Sequence, residues 1–337
     1  MSEQENVLFV IGPPRSGSTM LARMIGSHSM IYGRPEPHML TPLAHLGYFD
    51  NVEKAPYDHV LAAESMREFV ADLPGGEADY IDACRAYTDT LYGRMLATQP
   101  GKSLFLDKTP AYGLVLDFIA KIYPNARYVV LTRHPLAVFS SYAESFFDSD
   151  YATARAYNPI VERYVPAIAR FLREAKTPLY HVVYEQLVAD PERVLGEVFE
   201  FLGVPNESEA VEYGRNKQEA KGLGDPIGVK KHTRPSTESI QKWAVEVAGD
   251  PARLELCRDM IARLDPADLE LWGHPLETLW APLDDVAPGT KPVPKKLDRY
   301  RLERRAIVRA RALVQRSAGL RGLLKRVRLT ADVLLRD

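Results

Sequence analysis

Cysteine is scarce in this chain: Cys84 and Cys257 are the two in 337 residues, far apart and without metal-ligand partners at the usual spacings. A disulfide framework and a zinc site are therefore not expected, and a reducing compartment is the natural reading. Long apolar runs are missing too, none approaching the ~20 residues of a membrane span. The first residues, Met1-Ser2-Glu3-Gln4-Glu5-Asn6, carry no basic segment. No secretory leader is expected from them, and the expected location is cytoplasmic, with a peripheral place at the membrane left open. Internal repeats and low-complexity tracts are absent as well. A strong overall charge is lacking, since the formal net charge is only −2. That near-balance conceals an asymmetry. Residues 291–337 hold fifteen Lys/Arg against four Asp/Glu, a net +11 that leaves −13 on the first 290 residues.

What is present begins with Gly12-Pro13-Pro14-Arg15-Ser16-Gly17-Ser18-Thr19, set between an apolar run, Val7–Ile11, and a helix start marked by Met20, Leu21, Met24 and Ile25. Backbone N–H groups at a helix N-terminus, arranged by a glycine turn, bind anions through unsatisfied donors and the helix dipole. Two glycines separated by four residues follow the Walker A pattern, but Ser18 stands where that pattern needs lysine. A nucleotide phosphate fits this loop better than an ordinary Mg-NTP. A bare strand-to-helix turn would also explain the glycines, though not Arg15, Ser16, Ser18 and Thr19 beside them.

Further on, 27–50 is rich in turn residues and centred on Gly33-Arg34-Pro35-Glu36-Pro37-His38, too many breakers for a regular element. A helical region to about Thr98 precedes a second strand at 103–106, which ends in Asp107-Lys108-Thr109-Pro110. A helix is expected over 111–122. The strongest strand signal is Arg127–Thr132, followed by Arg133-His134-Pro135 and a helix through Phe147, with proline suited to its first turn. Another helix is expected over 164–174 and another strand over 179–184. A helix over Pro191–Leu202 is stopped by Gly203. Strands alternating with helices imply an α/β fold: a three-layer sandwich with a mainly parallel central sheet, a P-loop-like strand-loop-helix, and a ligand crevice at the carboxyl ends of the strands. Helices are expected at 237–247 and 251–264. The organisation expected is one domain over 1–281, a Pro- and Asp-rich linker over 282–295, and a basic helical C-terminal extension over 296–337.

Three segments taken together resemble the PAPS-dependent sulfotransferase family, P-loop-like and of the bacterial branch, where PAPS is 3′-phosphoadenosine-5′-phosphosulfate. Pro14, Arg15, Ser16, Gly17, Ser18 and Thr19 look like that family's 5′-phosphosulfate loop. Val130-Leu131-Thr132-Arg133-His134-Pro135, with Ser141 eight residues after Arg133, looks like its 3′-phosphate site. Tyr184-Glu185-Gln186-Leu187-Val188-Ala189-Asp190-Pro191 is similar to a family segment that closes the sheet. The resemblance covers roughly residues 5–205. It implies a PAPS-dependent O-sulfotransferase that releases 3′,5′-ADP, with no metal expected. PAPS has no γ-phosphate, so a loop without the Walker lysine becomes intelligible.

The resemblance also assigns roles. Glu36 is the candidate base and Lys108 the cation near the transferring group. A family branch that places a histidine two positions after this lysine has no counterpart here, where Pro110 stands. In the late loop, Lys230, Lys231, Ser239 and Lys242 are candidate donor contacts, and His38 and His232 candidate acceptor contacts. Solvated or structural roles stay open for all of these: a surface ion pair for Arg133, a plain helix serine for Ser141, an exposed basic loop around Lys230, a structural role for His38 and His134. The acceptor expected is a hydroxylated small molecule, sugar, lipid or carrier-bound acyl group, not nucleic acid, since the basic run lacks aromatic interleaving. The tail's stripe of Leu320, Leu324, Val327 and Leu334 against Arg321, Lys325 and Arg328 suits an anionic membrane surface, an acidic partner, or the chain's own acidic body. Two other function classes remain beside the sulfotransferase: a P-loop-type ATP-dependent small-molecule kinase, and a non-catalytic nucleotide-binding docking protein.

Overall fold

The computed structural model describes residues 6–36, 40–44, 59–215 and 233–286, with six positions between 317 and 327. His38, Lys230, Lys231 and His232 lie outside the described residues, as do nearly all of the tail and most of the linker.

In chain order the elements are β1 (Val7–Ile11), α1 (Ser18–Gly26), β2 (Ile31–Pro35), α2 (Leu40–Ala44), α3 (His59–Ala71), α4 (Glu77–Ala97), β3 (Leu104–Lys108), α5 (Leu116–Ile122), β4 (Arg127–Thr132), α6 (Pro135–Phe147), α7 (Tyr151–Tyr157), α8 (Ile160–Glu174), β5 (Leu179–Val183), α9 (Tyr184–Ala189), α10 (Pro191–Leu202), α11 (Lys242–Ala248), α12 (Pro251–Ile261), α13 (Pro266–Leu271) and α14 (Leu276–Leu279). The strands form one parallel sheet in the order β2-β3-β1-β4-β5. Parallel pairing leaves the central strands covered on both faces, and every residue of β1 is accordingly buried.

Alternation along the strands divides the core in two. Val7, Phe9 and Ile11 of β1, with Tyr128 and Val130 of β4, pack among side chains of α5, α6 and α8. Leu8 and Val10, with Val129 and Leu131, pack among Met20, Leu21, Met24 and Ile25 of α1 and Val194, Leu195, Val198 and Phe199 of α10. Two helical layers around a parallel sheet make the expected three-layer sandwich. The first core continues through Trp243, Cys257, Met260, Leu269, Trp272 and Leu279. Helices from α11 onward therefore share the sheet's own core.

Several expectations need correction. The stretch over 27–50 is not wholly irregular, because Ile31–Pro35 is the edge strand β2, aligned from Ile31 opposite Leu104 to Pro35 opposite Lys108. Pairing with β3 supplies what local composition could not show, and proline is tolerated on an edge strand. β3 also runs through Asp107 and Lys108 rather than ending before them. The helix expected over 111–122 begins as a 3-10 turn, Pro110–Leu114, and restarts at Leu116. Tyr112 in that turn is drawn inward, its hydroxyl bonded to Asp107. The helix expected over 237–247 is a 3-10 turn, Thr237–Ser239, followed by α11. Tyr184 opens α9 instead of closing β5.

Candidate functional site

The loop after β1 turns sharply. Ser16 N–H bonds the Pro13 carbonyl at 3.2 Å, and Arg15 and Gly17 take positive φ values of 70° and 98° before α1 begins. The N-cap of α1 is Gly17, so no side chain caps the first-turn N–H groups. Gly17 is obligatory twice over: its φ lies in the left-handed region, and a Cβ there would come within 2.6 Å of the Tyr184 ring. At Gly12 a Cβ would meet Ser16 Oγ at 2.7 Å and the Leu131 carbonyl at 2.9 Å. Ser16 is fully buried, and its hydroxyl has no hydrogen-bond partner among the described residues. Ser18, at the Walker lysine position, is buried too.

An ammonium reaches this helix end from another strand. Lys108 Nζ, at the end of β3, donates to Thr19 Oγ1 at 3.1 Å and to Glu36 Oε1 at 2.5 Å. Lys108 is only 3% exposed and Glu36 16%, so their ion pair is largely withdrawn from water. Glu36, at the end of β2, has φ 41°. Among the described residues just four that are not glycine have positive φ, and Arg15 and Glu36 are two of them. Such conformations cost about 1–3 kcal/mol and cluster at functional sites. Three residues predicted from separate segments, Thr19, Glu36 and Lys108, thus meet at one point.

Beneath them lies a feature that sequence reasoning missed. Asp107 is fully buried and accepts hydrogen bonds from the hydroxyls of Tyr92 at 2.5 Å, Tyr112 at 2.9 Å and Thr109 at 3.1 Å. Burial pushes its carboxyl up to about 6, although those donors and neighbouring Lys108 favour the charged form. Tyr112 also accepts the Leu40 N–H at 2.9 Å, which ties α2 to the end of β3. Asp107 sat in the quoted Asp107-Lys108-Thr109-Pro110 segment, but nothing local marks Tyr92 as its partner.

On the other side of the loop a second group assembles. Arg15 Nε donates to Ser141 Oγ at 3.1 Å. Arg133, 7% exposed, donates from Nη1 to the Arg15 carbonyl at 3.1 Å and from Nη2 to the Ser239 carbonyl at 2.9 Å. Its guanidinium lies 4.3 Å from the centre of the Tyr184 ring, a cation–π contact. The Tyr184 hydroxyl is 2.7 Å from Ser239 Oγ. Tyr184 had no assigned role in the sequence reading; the available signal was its place just after a strand, where ligand-facing residues of parallel sheets gather. Lys242 is engaged elsewhere, its Nζ 2.6 Å from Glu144 Oε2 on α6.

His134 packs behind Arg133. Burial, reinforced by nearby His274, pushes its imidazole down to about 3, so it is neutral. Its Nε2–H donates to the Leu279 carbonyl at 2.9 Å, and its ring stacks on Trp243 with centroids 4.3 Å apart.

Fold and loop place the chain in the P-loop-like α/β class. Residues 8–208 match the family model described as Sulfotransferase family, and the chain belongs to that family of enzymes. Nodulation protein NoeE of Sinorhizobium fredii is 35% identical over 135 residues, 40% of this chain and 30% of that one. Carbohydrate sulfotransferase 1 of Mus musculus is 24% identical over 223 residues, 58% of this chain and 53% of that one. The chain therefore covers about a third to a half of the length of these curated relatives. Among solved structures, the sulfotransferase domain from the curacin biosynthetic pathway shares the fold, with a TM-score of 0.51 and 23% identity over 71% of this chain and 90% of that one. Among the described residues no helix is long and apolar enough to cross a membrane, and no cluster of His, Cys, Asp and Glu has the makings of a metal site.

Proposed function

We propose that the chain moves a sulfuryl group from PAPS to an acceptor hydroxyl. The observation that carries this reading is the pair of clusters flanking one phosphate loop: Arg15, Arg133 and Ser141 on one side, Thr19, Lys108 and Glu36 on the other. A donor with anionic groups at its 3′ and 5′ positions suits that arrangement of cations and hydroxyls, and the partnerless Ser16 hydroxyl leaves one more donor in the loop. PAPS would supply the activated sulfuryl group. Arg133 and Ser141 hold the 3′-phosphate through charge-assisted hydrogen bonds, and Arg15, expected on the 5′ side, lies against Ser141 between the two. The N–H groups at the start of α1 receive the 5′ end.

Lys108 stands where negative charge grows on the sulfuryl and leaving oxygens during in-line transfer. Glu36 takes the proton from the acceptor hydroxyl as the new O–S bond forms and the bond to the 5′-phosphate breaks. Lys230, Lys231 and Ser239 complete the donor side in this proposal, and His38 and His232 the acceptor side; Lys242 would join the donor side only by leaving Glu144. The relative named carbohydrate sulfotransferase supports a sugar hydroxyl as acceptor. Calorimetry with 3′,5′-ADP tests the donor half: Arg133→Ala should weaken binding by about 10–100-fold, the worth of hydrogen bonds to a charged group. Unchanged affinity would sink it. Thermal shift with ATP and Mg²⁺ against 3′,5′-ADP separates this reading from the kinase.

A further inference from the structure

The peptide unit joining Arg133 to His134 lies between β4 and α6, and side chains hold it at both ends. Its carbonyl, on Arg133, accepts from Trp272 Nε1 at 2.8 Å in a buried bond. Its N–H, on His134, donates to Glu185 Oε1 at 3.1 Å. Glu185 Oε2 is in turn 3.2 Å from His274 Nε2. Burial opposes ionisation of Glu185, but the His274 contact and the His134 N–H outweigh it and hold the carboxyl below its usual range. A third tie runs from the His134 ring to the Leu279 carbonyl. Trp272, His274 and Leu279 all lie beyond residue 208, where the family match ends.

These bonds bear on direction rather than on mere packing. A peptide plane held at both ends fixes the position of the preceding Cα and restrains the backbone torsion beside it, so the base of the Arg133 side chain is confined to a narrow range of directions. Its tip is then seated between the Arg15 and Ser239 carbonyls over the Tyr184 ring. Trp272 itself is 1% exposed and makes no contact with the phosphate loop in these bonds; it acts through Arg133.

We propose that Trp272 is a positioning residue for Arg133, with the His134–Leu279 bond as a second tie, so that the C-terminal helices set the protein's preference for a nucleotide bearing a 3′-phosphate. The inference rests on the donor-site reading above, and the test separates the two. Affinities for 3′,5′-ADP and for AMP, which lacks the 3′-phosphate, are measured by calorimetry on the full chain and its variants. Trp272→Phe keeps an aromatic ring and loses the N–H. It should weaken 3′,5′-ADP about tenfold, the worth of a well-formed hydrogen bond, while AMP changes by less than about twofold. His134→Phe keeps a ring against Trp243 and removes the second tie; it should shift the same ratio in the same direction, and it serves if Trp272→Phe does not fold. A folded variant that weakens both nucleotides equally, or neither, overturns the positioning role. If Arg133→Ala leaves the ratio of the two affinities unchanged, the donor-site reading itself falls. If Arg133→Ala collapses the ratio and the other two variants do not, only the role of Trp272 falls.

Discussion

The corner around Arg133 and the corner around Lys108 sit on opposite sides of one loop, yet they are held by different means. Arg133 is seated by backbone carbonyls, an aromatic face and a clamped peptide, with contributions from residue 15 to residue 272. Lys108 is held by the Glu36 carboxylate and the Thr19 hydroxyl among its partners, over a buried acid shared among two tyrosines and a threonine. The first arrangement rests on backbone carbonyls and a ring that are themselves held by the fold. In the second, polar partners can be exchanged when a charged group arrives. Affinity should therefore reside in the first corner and rate in the second.

The largest expected effect falls on the second. Glu36→Gln should cut turnover by about 10²–10⁴-fold, the usual worth of a positioned general base, and leave 3′,5′-ADP affinity unchanged by calorimetry. Turnover at the wild-type rate would break the division. Arg133→Ala should do the reverse in its primary effect, with the affinity loss given above and a milder change in the rate at saturating donor. Next comes Gly17→Ala, which meets both a positive φ and the Tyr184 ring. It should destabilise the fold by about 1–3 kcal/mol in denaturant unfolding and weaken the nucleotide with it.

The smallest effect concerns pH. Asp107 is raised from an ordinary 3.8 to about 6 by burial. It holds its proton more tightly folded than unfolded, so the stability it contributes is complete below about pH 4 and lost as pH rises through about 6. Asp107→Asn removes that component. The variant's unfolding midpoint should climb more steeply between pH 4 and pH 6 than the wild type's, and parallel curves would show that the acid does not titrate there. His134, held down at about 3, works the opposite way: its contribution is full above its ordinary 6.5 and lost as pH falls through about 3.

Much of the fold was legible because its signals are local. The apolar runs of β1 and β4, Pro135 opening α6 and Gly203 closing α10 each follow from near-neighbour chemistry, and the elements form where expected. β2 was illegible for the opposite reason. Gly33 and Pro35 read as breakers, and only pairing with β3, some seventy residues on, makes a strand of them. Residues at the candidate site divide the same way. Arg15, Thr19, Arg133 and Ser141 stood out through motif spacing, whereas nothing local pairs Tyr184 with Arg133, Asp107 with Tyr92, or Trp272 with the Arg133 carbonyl.

By itself the sequence determined a parallel α/β sheet, a glycine loop without its Walker lysine, and the residues that follow β1 and β4, because helix and strand periodicity and turn chemistry act over a few residues. The tertiary structure alone decided which of those strand ends meet. Lys108 reaches Thr19 from β3, Glu36 comes to Lys108 from β2, and Trp272 closes on Arg133, because strand order and the burial of side chains between layers are set by contacts distant in the chain.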